Sequence, residues 1–268
     1  MNPTLSASGA CAVLLIATLP LASCASRPPD SSQPRQHPIA VPAPDRPNPP
    51  KATPPGPSGL REVFPHIRVD AAAGTIEFDA AVCIDAHNPK TPRVYLEVLA
   101  CTPDTKEHES LVVTNAAPSQ IHAALLLLGL QPGTPGTWDW EGAVIKPLPP
   151  SGPRLMVTAT RTQGGSPLEG PITDWVLNVR DNRSLTASAG ADHFVFAGSQ
   201  MIRHKGVEMY RADGEGCIVG LCTFGGETIA WSRLFSPDTS LEEPQWIADG
   251  SRTPPFGTPV IVRIRKAD

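Results

Sequence analysis

The stretch Lys106-Glu107-His108-Glu109-Ser110-Leu111-Val112-Val113-Thr114 is followed, after a short link, by Pro118-Ser119-Gln120-Ile121-His122-Ala123-Ala124-Leu125-Leu126-Leu127-Leu128-Gly129. Its first half is ionisable and then turns β-forming. Its second half is the one convincing helix in the chain, spanning about 118–128. Pro118 suits a first helical turn, Ser119 is an alternative cap, and Gly129 with Gln131-Pro132-Gly133 ends it. The link is too short to let the strand end and the helix start lie far apart. Two of the seven histidines therefore gather here with two carboxylates.

Outward from this stretch the sequence reads as short strands. Ile67–Asp70 and Thr75–Phe78 flank a turn at Ala71-Ala72-Ala73-Gly74. Arg93–Cys101, bounded by Pro92 and Pro103, reads as a strong strand, with Lys106–Thr114 as its antiparallel hairpin partner. Further strands are expected at 154–161, 173–179, 193–196, 207–210, 216–224, 228–231 and 259–264. One helix among many short strands predicts an α+β fold, mostly antiparallel β-sheet.

The N-terminal end has a different composition. Ala10–Leu21 is apolar, too short to span a bilayer, and ends in Leu21-Ala22-Ser23-Cys24, which resembles a bacterial lipobox. Residues 1–23 are thus expected to be a lipoprotein signal peptide and Cys24 the lipidation site, with an ordinary secretory leader as the alternative. The expected address is the bacterial envelope, with the membrane a partner through the N-terminal lipid. Residues 24–60 form an expected disordered linker: 12 of the chain's 32 prolines fall between Ala25 and Gly59, with little large and apolar to bury. Residues 61–268 remain for a folded domain. The net charge of -4 and the lack of a basic patch with interleaved aromatics argue against nucleic acid as a partner.

Several motifs in that domain resemble the YdjY-domain family of bacterial envelope lipoproteins and secreted proteins. They include Thr105-Lys106-Glu107-His108-Glu109-Ser110, Ile121-His122-Ala123-Ala124-Leu125, Phe194-Val195-Phe196-Ala197-Gly198-Ser199, Tyr210-Arg211-Ala212-Asp213 and Pro254-Pro255-Phe256-Gly257-Thr258-Pro259-Val260. The resemblance runs over nearly all of residues 62–266 and implies no established activity. Some family members carry a ferredoxin-like label, which the cysteines here do not support.

Cys83, Cys101, Cys217 and Cys222 stand in the expected domain, and none lies in the C-x2-C pairing usual for iron-sulfur and structural zinc sites. No cofactor follows from the sequence. On one strand, Cys217 and Cys222 would face opposite sides, about 16 Å apart, too far for a bridge. A hairpin around 85–92 would set Cys83 opposite Val94, away from Cys101. Buried free thiols or a bridge between distant segments both remain open.

The candidate polar site comprises Glu97, Lys106, His108, Glu109, Ser110 and His122. In the hairpin, either register brings Glu97 near Glu109 or His108, but not both. His122, near the helix start, is expected to be neutral. No G-x-S-x-G, H-E-x-x-H or phosphate loop is present. The reading favours a binding or structural module for an envelope protein or small ligand. The alternative is an extracytoplasmic enzyme with a metal or acid-base site at Glu97, His108, Glu109 and His122. Trp138, Asp139 and Trp140 read first as an exposed aromatic loop folded over a sheet, with a carbohydrate-binding surface as the alternative.

Overall fold

The computed structural model describes residues 59–139 and 146–267. The apolar leader, Cys24, the tether up to Ser58 and Trp140 lie outside the described residues. The strands that matter most are β1 (Thr75–Val82), β2 (Val98–Cys101), β3 (Ser110–Val113), β4 (Arg154–Gln163), β5 (Phe194–Phe196), β6 (Cys217–Gly220), β7 (Ile229–Trp231) and β8 (Pro259–Lys266). The longer ones alternate as a half-buried strand should. In β1 the residues Ile76, Phe78, Ala80 and Val82 are buried; in β8 they are Val260, Val262 and Ile264; in β4 they are Leu155, Val157 and Ala159.

These eight strands close on themselves in the order β1-β8-β4-β5-β7-β6-β2-β3-β1. β1 is long enough to share one edge between two partners. Its first half pairs with Ile67–Asp70 and its end with β3, through Ala81 opposite Val113 and Val82 opposite Val112. That second pairing removes the open edges a sheet would otherwise leave exposed. The expected α+β fold is therefore corrected to a mostly β fold built on a closed barrel. Among the described residues only one helix exceeds a turn or so: α1 (Pro118–Leu127), against α2 (Leu185–Ser188) and α3 (Arg211–Glu215). α1 buries Ile121, Ala124 and Leu125 in the barrel's core and contacts Ile67–Asp70, α3 and β6.

On the outer surface a row of charges crosses three strands. Arg263 on β8 stands opposite Glu77 on β1, and Glu77 opposite Arg68. Arg263 Nε donates to Glu77 Oε1 at 2.6 Å, and Arg68 makes a two-pronged contact with Asp79 at 2.8 and 3.2 Å. Glu77 is almost wholly buried, and the two guanidinium groups make that burial tolerable.

The expected hairpin is also corrected. β2 and β3 run parallel, with Val98 opposite Ser110 and Ala100 opposite Val112. β6 and β7 form a second parallel pair. A parallel crossover normally takes a dozen or more residues, often with a helix. Here residues 102–109 and 221–228 suffice, because each turn is clasped by a carboxylate of its own. Glu107 accepts the backbone N–H groups of Asp104 and Thr105 at 2.6 and 2.9 Å. Glu227 accepts those of Phe224 and, at 3.1 Å, Gly225. Arg211 holds the second turn from outside, donating to the carbonyls of Phe224 and Gly225 at 2.9 Å each. Lys106–Glu109 is consequently not strand; Glu107–Glu109 is a 3-10 turn. The strand expected at 173–179 begins as a 3-10 turn, Ile172–Trp175, and the one expected at 216–224 ends at Gly220.

Candidate functional site

Glu97 precedes β2 and joins the two crossovers through its backbone. Its N–H donates to the Glu109 carbonyl at 3.0 Å, and its carbonyl accepts from Leu221 and Cys222 at 3.0 and 2.8 Å. The side chains follow from that placement. Lys106 Nζ lies 2.7 Å from Glu109 Oε1 and 3.5 Å from Glu97 Oε2, and 3.9 Å above the Phe224 ring. The lysine therefore bridges the carboxylates of one crossover and the aromatic ring of the other.

Burial, reinforced by the neighbouring Glu109, pushes the Glu97 carboxyl up to about 7, with Lys106 pulling weakly the other way. Burial by itself would lower the Lys106 ammonium, but the two carboxylates outweigh it and hold it above its ordinary value. Burial likewise opposes ionisation of Glu107, yet its backbone N–H partners prevail and keep it below the usual range.

The other sequence-derived candidates divide. His108 is mostly solvent-exposed, with Nε2 3.7 Å from Glu109 Oε2. Ser110 is fully buried, and its hydroxyl donates to the Lys106 carbonyl at 2.7 Å, which commits it to holding the turn. His122 has a separate set of partners. Its Nδ1 donates to the Gly198 carbonyl at 3.1 Å and lies 2.9 Å from the Tyr210 hydroxyl, with its ring edge-on to Phe196 and Tyr210. Burial lowers the His122 pKa, so the neutral ring is favoured. Tyr210 is pushed up to about 12 by burial. The structure thus brings together Glu97, Lys106 and Glu109, with His108 at the rim, and places His122 in a pocket of neutral hydrogen-bonding groups.

Among the described residues no group of three or more His, Cys, Asp or Glu side chains is arranged to hold a metal ion.

Sequence reasoning did not single out a cavity of about 220 Å³ walled by Leu185, Ser188, Trp231, Arg233 and Trp246, with Arg183 beside them. Its walls come from α2, β7 and the segment leading to Trp246–Ala248. Both indoles are nearly fully buried, and their N–H groups, like the Ser188 hydroxyl, have no protein partner. Trp246 also borders a narrower cleft of about 50 Å³ that reaches Glu97, Cys222 and Glu242. The tryptophans were the available signal, but their relation to α2 depends on how the barrel closes.

A closed, mixed barrel with two carboxylate-clasped parallel crossovers and a cavity beside Trp231 and Trp246 defines a compact β module. The chain belongs to the YdjY-domain family, whose family model matches residues 67–265. No curated protein and no solved structure matches it.

Proposed function

We propose that the chain is a binding module of the bacterial envelope, held to a membrane by lipid on Cys24 and set off from it by the proline-rich tether. The observation that carries the binding reading is the cavity beside Trp231 and Trp246, whose wall sets Arg183 and Arg233 among aromatic side chains. Concave sites lined by aromatic side chains with a few charged or polar groups are where small ligands bind, and the two guanidinium groups favour an occupant that supplies acceptors. The lipobox-like Leu21-Ala22-Ser23-Cys24 supports the anchor. Native mass spectrometry of the protein purified from bacterial envelopes tests both parts. The expected result is a diacylated N-terminal Cys24 and a small molecule bound one to one. An unmodified N-terminus at another residue sinks the anchor, and a chain that never carries a small molecule sinks the binding reading.

A second reading, an acid-base enzyme, is favoured by the Glu97 carboxyl, held near neutral pH at the edge of the narrower cleft. Conversion of the bound molecule by the natural chain, abolished in Glu97→Gln, would select it over simple binding.

A further inference from the structure

Cys101 on β2 stands directly opposite Cys217 on β6 in an antiparallel pairing. Thr102 N–H donates across that seam to the Gly216 carbonyl at 3.0 Å, while the Cys101 carbonyl turns the other way and accepts from Thr114 at 2.9 Å. Cys101 and Cys217 are therefore a pair with no backbone hydrogen bond between them. Such pairs place the two Cα atoms roughly 4.5 Å apart, with side chains on one face. A disulfide bridges Cα atoms about 4.4–6.8 Å apart. The seam is tight here: Gly216 has φ +71°, and a Cβ on it would run into the hydroxyls of Thr105 and Thr102. Both cysteines are fully buried and share a small apolar cluster with Val98, packed against Val113 and Phe224.

The other two described cysteines are not set this way. Cys83 follows β1, and its N–H donates to the Leu111 carbonyl at 3.0 Å. β3 thus lies between Cys83 and β2, which parts Cys83 from Cys101 by two strand spacings, roughly 9–10 Å. Cys222 belongs to the second crossover, and its N–H donates to the Glu97 carbonyl at 2.8 Å. Glu97 is four positions along an extended run from Cys101, about 13 Å away. Both separations exceed what a bridge to Cys101 spans.

We infer that Cys101 and Cys217, free thiols in this structure, are the chain's disulfide site, joined while the chain folds and sealed in as β2 and β6 pair. The oxidant is a small-molecule or protein disulfide, R–S–S–R. The Cys101 thiolate attacks one donor sulfur, forming Cys101–S–S–R and releasing the first R–SH. The Cys217 thiolate then attacks Cys101 Sγ, forming Cys101–S–S–Cys217 and releasing the second R–SH. Two protein thiols are oxidised and one donor disulfide is reduced to two thiols, so electrons and protons balance. The exchange precedes burial. In the open chain both thiols meet water and ionise ordinarily, whereas in the folded protein no donor reaches them and burial raises Cys217.

The bond closes a loop between positions 116 apart (217 minus 101), and a longer closed loop restrains the unfolded chain more. It also fixes the strands from which both crossovers leave. Residues 102–109 start directly after Cys101, and residues 221–228 start directly after β6. The Glu97, Lys106 and Glu109 cluster stands on that cross-linked seam.

The test refolds the full chain, reduced and unfolded in urea, by dilution into reduced and oxidised glutathione at mildly alkaline pH. The product is quenched with iodoacetamide in urea and mapped by peptide mass spectrometry without reduction. The expected product carries a Cys101–Cys217 bond, with Cys83 and Cys222 alkylated. A chain with both Cys83→Ser and Cys222→Ser should form the same bond in the same yield. The oxidised chain should unfold at a higher urea concentration than the same chain refolded with dithiothreitol. Dithiothreitol should reduce the folded, oxidised chain at least about tenfold more slowly than the chain in urea, because access governs the exchange. Four free thiols, a bridge that includes Cys83 or Cys222, a yield that depends on either, a urea midpoint no higher than that of the reduced chain, or equal reduction rates each overturns the assignment. Glutathione supplies the oxidant whatever the chain's address, so a missing bond counts against this pairing and not against the envelope reading.

Discussion

The backbone N–H of Glu97 donates to the carbonyl of Glu109 at 3.0 Å, and this one bond sets two carboxylates on either side of the Lys106 ammonium. Only one can be well served: Glu109 is at 2.7 Å and Glu97 at 3.5 Å. Glu97 is left partly buried beside a like charge, and its carboxyl rises from 4.5 to about 7.

The consequence for stability has a definite sign. A carboxyl that titrates higher in the folded than in the unfolded chain keeps a proton the unfolded chain has released. Its contribution is full below pH 4.5 and is lost as pH rises to about 7. Glu97→Gln should therefore flatten the decline in stability across that window and gain about 1–3 kcal/mol relative to the natural chain at pH 8. Urea midpoints at pH 4.5 and pH 8 measure this. An unchanged difference between the two pH values in the variant would show that Glu97 is not the group responsible.

Glu227 offers a sharper contrast between charge and hydrogen bonding. It is almost wholly buried, one oxygen clasps its own turn, and the other oxygen has no partner. Burial raises its pKa. Glu227→Ala strips acceptors from two backbone N–H groups and should cost about 2–4 kcal/mol. Glu227→Gln keeps the acceptor and sheds the charge, and should cost under about 1 kcal/mol at pH 7. Equal losses in the two variants, read by chemical denaturation, would mean that the clasp contributes nothing.

Gly152 has φ +139°, and a Cβ there would stand 2.2 Å from the Phe196 carbonyl oxygen. That oxygen cannot retreat freely, because it accepts the Gly133 N–H at 2.9 Å while Phe196 N–H donates to Pro153 at 3.0 Å. Gly152→Ala should destabilise by at least about 2 kcal/mol. Gly164, at φ +58° with open space around it, isolates the conformational part, and Gly164→Ala should cost about 1 kcal/mol. Thermal unfolding of the two variants gives the comparison, and a Gly152→Ala loss no larger than that of Gly164→Ala would show that the contact with Phe196 costs nothing.

What the sequence made legible was local. The alternation in Thr75–Phe78 and Pro259–Ile264 marks real barrel strands, and Pro118 and Gly129 bound a real helix. The neighbourhood of Glu97, Lys106 and Glu109 was also legible, although a parallel crossover rather than a hairpin creates it. The rest depends on closure, which strand periodicity does not encode. The meeting of Ala81 with Val113 closes the barrel, and the β2–β6 pairing brings Cys101 to Cys217. The cavity draws its walls from segments that no local pattern links. His122 followed a longer-range hydrogen bond to Gly198 rather than the nearby acids.

The start of α1 shows how a local cap signal can be replaced from a distance. Ser119 looked like an alternative cap, but the residue at the cap position is Ala117, which offers no side-chain acceptor. The exposed N–H of Ser119 is taken instead by Asp213 Oδ1 on α3, at 2.8 Å. A carboxylate there satisfies one free N–H of the first turn and also opposes the positive end of the helix dipole. Loss of a side-chain cap typically costs about 1 kcal/mol, within a range of about 0.5–2. Asp213→Ala should therefore lower stability by about 1 kcal/mol, and Asp213→Asn, which keeps an acceptor oxygen, by less. Ser119→Ala should leave stability unchanged, because only its backbone is engaged by Asp213. Hydrogen exchange adds a local readout: the Ser119 amide should exchange faster in Asp213→Ala and not in Ser119→Ala-type surface changes elsewhere on α1. If Ser119→Ala costs as much as Asp213→Ala, the helix is capped by its own serine and the link from α3 is incidental.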